Sequence, residues 1–503
     1  MESWDIDNAF LQGLDFRTLR EKAKELNIEM KAIRRVYLTP PRNVWRHFRE
    51  LKVEGSYIVV EDCDVPWALL LCLKPMYGFV DAPILWQLAL LLWIVSTMLG
   101  TQSLLDENYV YWTHGYEVDL SMAVHVDDIN AVGKKTWMDW AHRRLEERFG
   151  TVKRQTLPFT HVGIQHELVA PGVLRLSQNE HLDNISPAPV PEYAKEDEAL
   201  SKVSQHDFVS LLSAMLWDCQ CRMDCMSEVV QLQAFNKQAT ISHLLEANKL
   251  LSKGKRNSPM MGLYYRRLKM PLRVVDVTDA GHASKKSSYA QEGLMTLLME
   301  DKPLTIDFKS DEVKNIDDIG GAAHLLAGHG RRSKRVSHST SHAETLSKVN
   351  GMGTAQLIAL RFTELFCKTM YGQTANVKLL MEIQQRGSTI LPIDSYTDCM
   401  DLWELACGMR GIPSDKSQRL CILSIREERM TRRIRGFGHL PTSCILPDAL
   451  TKVGTFPVLM HWQTTGIWQV NATTTRGKPI KMRVMERREE EDIDEDDLVN
   501  IPN

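Results

Sequence analysis

The chain has 503 residues, too many for one compact core and enough for about two to four domains of ordinary size. With 44% hydrophobic and 25% charged residues it lies outside the low-hydrophobicity, high-charge regime of disorder, and a formal net charge of −3 singles out no partner class. Its ten cysteines are scattered, with no disulfide-like framework and no apolar leader behind a basic start, so the chain reads as intracellular and reduced.

In chain order, Trp4 to Phe10 reads as a strand, Arg17 to Arg35 as a charged helix, and Tyr57 to Val60 as an apolar segment. The uncharged stretch Ile84 to Gly100, ILWQLALLLWIVSTMLG, approaches membrane-spanning length. Gln87 inside it, no basic cluster after it and a strand-like LLDENYVYW beyond it favour a buried domain helix over a span. Leu120 to Val132 reads strand, turn, strand around Asp127 and Asp128. SPAPVPE, Ser186 to Glu192, breaks any helix with its three prolines, and Asp207 to Leu251 is helical in pattern. Cys219, Cys221 and Cys225 lack a second finger-like pair, which favours cysteines on an amphipathic helix over zinc ligands. A further block of strands and helices runs from Leu272 to Lys452, opening on LRVVDVTDA, and the tail ends in EEEDIDEDD, Glu489 to Asp497, an expected disordered segment. Two basic runs, Arg331 to Arg335 and Arg432 to Arg435, are candidates for phosphate contact or equally for a solvated face.

Two sets of carboxylates stand out. Enzymes that transfer phosphoryl groups on nucleic acids commonly hold paired divalent ions, and hard ions such as Mg²⁺ take oxygen ligands from Asp and Glu on separate elements. Asp5 in WDIDNAFLQG with Asp127 and Asp128 in VHVDDIN is one such set. Asp279 in VTDAGHAS, Glu344 in STSHAETLS and Asp398 in YTDCMDLW, placed respectively at a strand end, a helix start and just after a strand, form the other together with Asp448 in LPDALTK.

The succession WDIDNAFLQG, VYLTPP, LKPMYGFVDAPILW and VHVDDIN, followed by FTHVGIQ and LRLSQNEHLDNI, resembles the reverse transcriptase of Ty1/copia-type retrotransposons. The resemblance implies that Asp5 is the first catalytic aspartate of a palm and that Asp127 and Asp128 are the carboxylates of the family's Tyr-Val-Asp-Asp turn, with His125 in place of the tyrosine and Asp81 where relatives carry glutamine. Leu14 to Arg35 reads as a charged insertion, and since only four residues precede Asp5 the polymerase reads as truncated, its fingers missing. The second set resembles the Asp-Glu-Asp-Asp ligands of that family's ribonuclease H domain, with Gly281 and His282 where relatives carry aspartate and tryptophan. The polar segment Glu300 to Lys334 reads as a surface insertion.

The implied fold is α+β, a partial palm over residues 1–190, a helical thumb or connection over 191–268, a mixed-sheet ribonuclease H-like domain over 269–455, and an extension with the acidic tail over 456–503. The implied activity is copying of element RNA into DNA and cleavage of the RNA strand of hybrids, with Mg²⁺ or Mn²⁺ on Asp5, Asp127, Asp128, Asp279, Glu344, Asp398 and Asp448. Its partners are RNA template, DNA primer, RNA–DNA hybrid and, for an intact polymerase, dNTPs, with no membrane. A chain retaining only ribonuclease H activity, and an inactive relic or domesticated nucleic-acid binder, are the alternatives.

Overall fold

The computed structural model describes residues 1–25, 36–38, 52–53, 56–57, 70–74, 76–281, 289–454 and 456–484. They divide into two compact units, Met1–Thr156 and Leu157–Asn503, each mixing helices with sheets as an α+β fold requires.

The first unit is built on an antiparallel sheet. Its strands include β1 (Glu2–Ile6), β2 (Tyr109–His114), β3 (Glu117–His125), β4 (Asp128–Gly133) and β5 (Val152–Thr156). In space they run β5-β1-β4-β3-β2, with Thr101–Gln102 at the far edge. Alternation along β3 and β4 sends Leu120, Met122, Val124, Ile129 and Ala131 into the core and leaves the intervening residues outside. That core is closed by α1 (Ala82–Thr97), through Trp86, Leu90, Leu91 and Ile94, and by α2 (Lys135–Phe149), through Met138, Ala141, Leu145 and Phe149. The uncharged stretch is therefore a domain helix with one buried stripe, and no helix among the described residues is long and apolar enough to cross a membrane. Ile84, Leu88, Leu92 and Val95 on its other face are exposed.

In the second unit a mixed sheet is centred on β6 (Leu272–Gly281). On one side β7 (Gln291–Glu300) and then β8 (Gly321–Arg332) pair antiparallel, and on the other β9 (Ile393–Thr397) and then β10 (Gly436–His439) run parallel to β6. A central strand covered on both faces needs apolar residues of both parities. Val274 enters a core shared with Met352 and Ala355 of the long helix α6 (Thr340–Tyr371), while Val275 and Val277 enter one shared with Leu446, Ala449 and Leu450. That second core continues without a break into α3 (Lys202–Asp218), α4 (Met226–Gln233) and α5 (Ile241–Asn257), through Phe208, Leu212, Val229 and Leu244. The antiparallel sheet formed by Phe159–His161, Ile164–Ala170, Val173–Ser177 and Leu263–Arg266 also belongs to this unit.

Several sequence expectations change. The charged helix covers Phe16–Glu25, and residues 26–35 lie outside the described residues, as do His282, residues 58–60 and the tail from 489 to 497. The segment from Glu300 to Lys334 is no mere surface insertion, because Gly321–Arg332 is an integral strand of the central sheet; its backbone pairing with β7 outweighs its weak apolar pattern. Cys219 and Cys221 sit in the turn after α3, and Cys225 ends the short 3-10 turn Met223–Cys225 that leads into α4, all three buried in the core. Burial pushes the Cys221 thiol up to about 12 and raises the thiols of Cys219 and Cys225 as well. The run Arg432 to Arg435 is partly absorbed into structure. Arg433 pairs with Glu427 and Glu428, and Arg435 with Asp301 and the fully buried Asp394.

Candidate active site

Strand register sets the first carboxylate group. Asp5 on β1 lies directly opposite Asp128 on β4 and, on its other side, directly opposite Lys153 on β5. Residues opposed across a sheet share one face, so two carboxylates and an ammonium stand in a row. Lys153 Nζ contacts Asp5 Oδ2 at 3.2 Å and Asp7 Oδ1 at 2.6 Å. Asp127 occupies the hairpin turn between β3 and β4, and its carbonyl accepts from the Ile6 N–H at 3.3 Å. Partial burial, then the charges of Asp127 and Asp5, raise the Asp128 carboxyl above its ordinary value.

The turn is held in a strained shape. Val126 has φ of 59°, a left-handed conformation that a β-branched residue adopts at a cost of about 1–3 kcal/mol. The Trp86 indole N–H, fully buried on α1, donates to the Val126 carbonyl at 2.7 Å. No periodicity in the sequence signals this hydrogen bond to a turn forty residues away.

The second group forms where elements far apart in sequence converge. Ser339 caps α6 by accepting from the His342 N–H at 3.1 Å, which sets the helix start so that Glu344 falls in its second turn. Asp279 is two residues from the end of β6, Asp398 immediately follows β9, and Asp448 opens the single helical turn Asp448–Thr451. Among the described residues, Asp279, Asp398 and Asp448 form the group of carboxylates whose ligand atoms all lie within 4.8 Å of one another. Asp5, Asp127 and Asp128 form no such group among these residues.

Glu344 completes the set. It is 4% exposed, its Oε1 accepts from the Ala280 N–H at 3.1 Å, and its buried Oε2 has no hydrogen-bond partner. Burial first, and then the Asp279 and Asp398 charges, push its carboxyl well above the usual range. The same causes, burial and then Asp279, raise Asp398 to about 6, and burial raises Asp448. Carboxylates in such proximity are costly without a compensating cation. An all-oxygen donor set with one orphaned buried oxygen suits a hard divalent ion such as Mg²⁺ or Mn²⁺, so the residues fit the metal that the resemblance implies.

Two lysines serve the group from opposite sides. Lys452 contacts both Asp448 Oδ1 and, at 3.5 Å, Asp279 Oδ1, and the Thr451 hydroxyl donates to Asp279 Oδ2. Behind the site Lys348, one turn after Glu344, is fully buried; its ammonium donates to Asp276 Oδ2 at 3.1 Å, Ser395 Oγ at 3.0 Å and the Tyr396 carbonyl at 2.6 Å. It thereby ties together α6, β6 and β9, which carry Glu344, Asp279 and Asp398. Burial pushes Asp276 up and Lys348 down, while their mutual attraction opposes both shifts.

Close backbone approach seats Asp448. Asp279, Gly293 and Gly330 are consecutive partners across β6, β7 and β8. A Cβ at Gly293 would lie 2.9 Å from the Pro447 carbonyl oxygen, and one at Gly330 would lie 2.8 Å from that of Leu450. The two glycines let the segment Pro447–Thr451 rest on the sheet itself, a role the sequence did not disclose.

No protein-family model matches the chain, and no curated protein matches it. Among solved structures, it is similar to a foamy viral protease–reverse transcriptase in complex with RNA/DNA hybrid, with 12% identity and a TM-score of 0.41 over 90% of this chain. The chain spans 45% of the length of that protein. A second similarity is to LC11-RNase H1, isolated from compost by a metagenomic approach, with 12% identity and a TM-score of 0.21 over 35% of this chain and 91% of that one.

Proposed function

We propose that the second unit is a divalent-metal-dependent nuclease of the ribonuclease H kind, acting on the RNA strand of an RNA–DNA hybrid. The observation that carries this reading is the convergence of Asp279, Asp398 and Asp448 within 4.8 Å beside a buried Glu344 whose Oε2 has no partner. On this reading Mg²⁺ or Mn²⁺ is held by these four residues. Divalent ions bound in such a site supply an activated water and stabilise the leaving 3′ oxygen of a phosphodiester.

The chain's own residues do the positioning. Strand ends and a capped helix hold the carboxylates at fixed mutual distance, and Lys348 braces three of those elements from behind. Asp279, held by Thr451 and flanked by Lys452, remains pointed at Asp448. Preorganisation of this kind is what phosphoryl transfer demands of a protein, since the ions carry most of the charge stabilisation.

For the first unit we propose descent from a reverse transcriptase palm of the Ty1/copia type, supported by the Asp5–Asp128 register and the strained Val126 turn. Its partners on this reading are RNA template, DNA primer and dNTPs. A binding-only role is the alternative for this unit, in which Lys153 pairs with Asp5 and Asp7.

The test is cleavage of a labelled RNA–DNA hybrid in Mg²⁺ by the chain and by its Asp398→Asn and Glu344→Gln variants, with extension of a primed template run alongside. Cleavage by the wild type that both variants lose supports the nuclease. A well-folded wild type that leaves the hybrid intact refutes it, and primer extension decides the palm separately.

A further inference from the structure

The carboxylates of the second unit face two ammonium groups in very different circumstances. Lys348 is fully buried and committed to Asp276, Ser395 and the Tyr396 carbonyl, with no freedom to leave. Lys452 reaches the front of the group from the residue that follows the helical turn Asp448–Thr451, with 44% of its side chain exposed. Its contacts are Asp448 Oδ1 and Asp279 Oδ1, two of the three carboxylates whose ligand atoms converge.

We propose that Lys452 is a built-in counter-ion that occupies the cation position of this site and must be displaced for a divalent ion to bind, so that it sets the site's metal affinity. This rests on the reading of the group as a metal centre given above. Four carboxylates drawn together without a cation repel one another, and an ammonium among them lowers that repulsion. A cation that contacts the same oxygens as the metal competes with it. Among the described residues the two ion pairs of Lys452 are both to metal-site carboxylates, and its long, half-exposed side chain can swing into solvent at little cost. Lys452 is thus a positioning residue, holding the carboxylates at binding distance before the ion arrives and leaving when it does.

The competition has a sign that structural damage does not imitate. A residue needed only for folding would weaken metal binding when removed, whereas removing a competitor tightens it. Mn²⁺ binding to the full chain, followed by the electron paramagnetic resonance of the free ion, reads this directly. Lys452→Met is expected to bind Mn²⁺ about two- to fivefold more tightly than the wild type, the range for losing a partly exposed ion pair of about 0.4–1 kcal/mol. Lys452→Arg, which keeps a cation in place, stays near the wild-type value. Without metal, Lys452→Met melts at lower temperature than the wild type, and saturating Mn²⁺ raises its melting temperature by more than it raises that of the wild type.

Unchanged or weaker Mn²⁺ binding by Lys452→Met, beside a wild type that binds and an Asp398→Asn variant that does not, overturns the counter-ion role and leaves the metal centre standing. A wild type with no Asp398-dependent Mn²⁺ binding overturns both.

Discussion

Removing the ammonium of Lys348 tests the bracing of the site more severely than any surface change. Lys348→Met keeps nearly the same volume but leaves Asp276, itself fully buried, with a single hydrogen bond from Ser395 at 2.8 Å and with Oδ1 already unpartnered. Leaving one charge of a buried pair uncompensated costs about 3–5 kcal/mol, and the Tyr396 carbonyl loses a donor as well. The second substitution decides the interpretation. In Lys348→Met with Asp276→Val both polar groups are gone, and replacing a buried pair by apolar residues is about neutral, so stability should return to within about 1–2 kcal/mol of wild type. Urea unfolding of the full chain, followed by circular dichroism, measures both. A single variant within about 1 kcal/mol of wild type, or a double variant no better than the single one, would refute the assignment of Lys348 as a buried brace.

Further expectations concern the seat of Asp448, the strained turn, and pH. Gly293→Val drives a side chain into the Pro447 carbonyl and should cost about 1–3 kcal/mol in thermal unfolding while weakening Mn²⁺ binding, because Asp448 moves with that segment; an unshifted melt refutes the close seating. Val126→Gly relieves a left-handed φ that Val126→Ala keeps, while both lose the packing of the side chain, so the Gly variant should be the more stable of the two by about 1 kcal/mol in the same unfolding assay; a less stable Gly variant would mean the turn is not strained. In chelator the metal-free wild type should lose stability relative to Asp398→Asn as pH rises from about 4 to about 6. Burial and then Asp279 raise Asp398 from an ordinary 3.8 to about 6, and Glu344 is raised as well, so at these two acids the folded state binds more protons than the unfolded chain across that window. A wild type whose stability holds or gains against that of Asp398→Asn through the same window would contradict the crowding of these acids.

Local signals in the sequence were enough for the α+β class and for the local setting of each carboxylate. Alternating apolar residues announce the β3–β4 hairpin around Asp127 and Asp128, β-branched runs announce β6, and Ser339 ahead of a helical pattern announces the start of α6. Each depends on neighbours within a few residues, which is the range over which periodicity and capping act. What depends on residues far apart in the chain was decided only by the tertiary structure. Gly321–Arg332 carries too few apolar residues to declare itself a strand, yet its partner in β7 makes it one. Cys219, Cys221 and Cys225 have a metal-like spacing, but burial makes them core thiols. Lys348, Lys452, Trp86, Gly293 and Gly330 are silent in one dimension, since a buried brace, a counter-ion, an anchor for a strained turn and a seat for a crossing backbone are each defined by what lies across the fold. The sequence could nominate the acids; that Asp279, Asp398 and Asp448 lie within 4.8 Å of one another, and that Asp5, Asp127 and Asp128 form no such group among the described residues, follows from long-range packing.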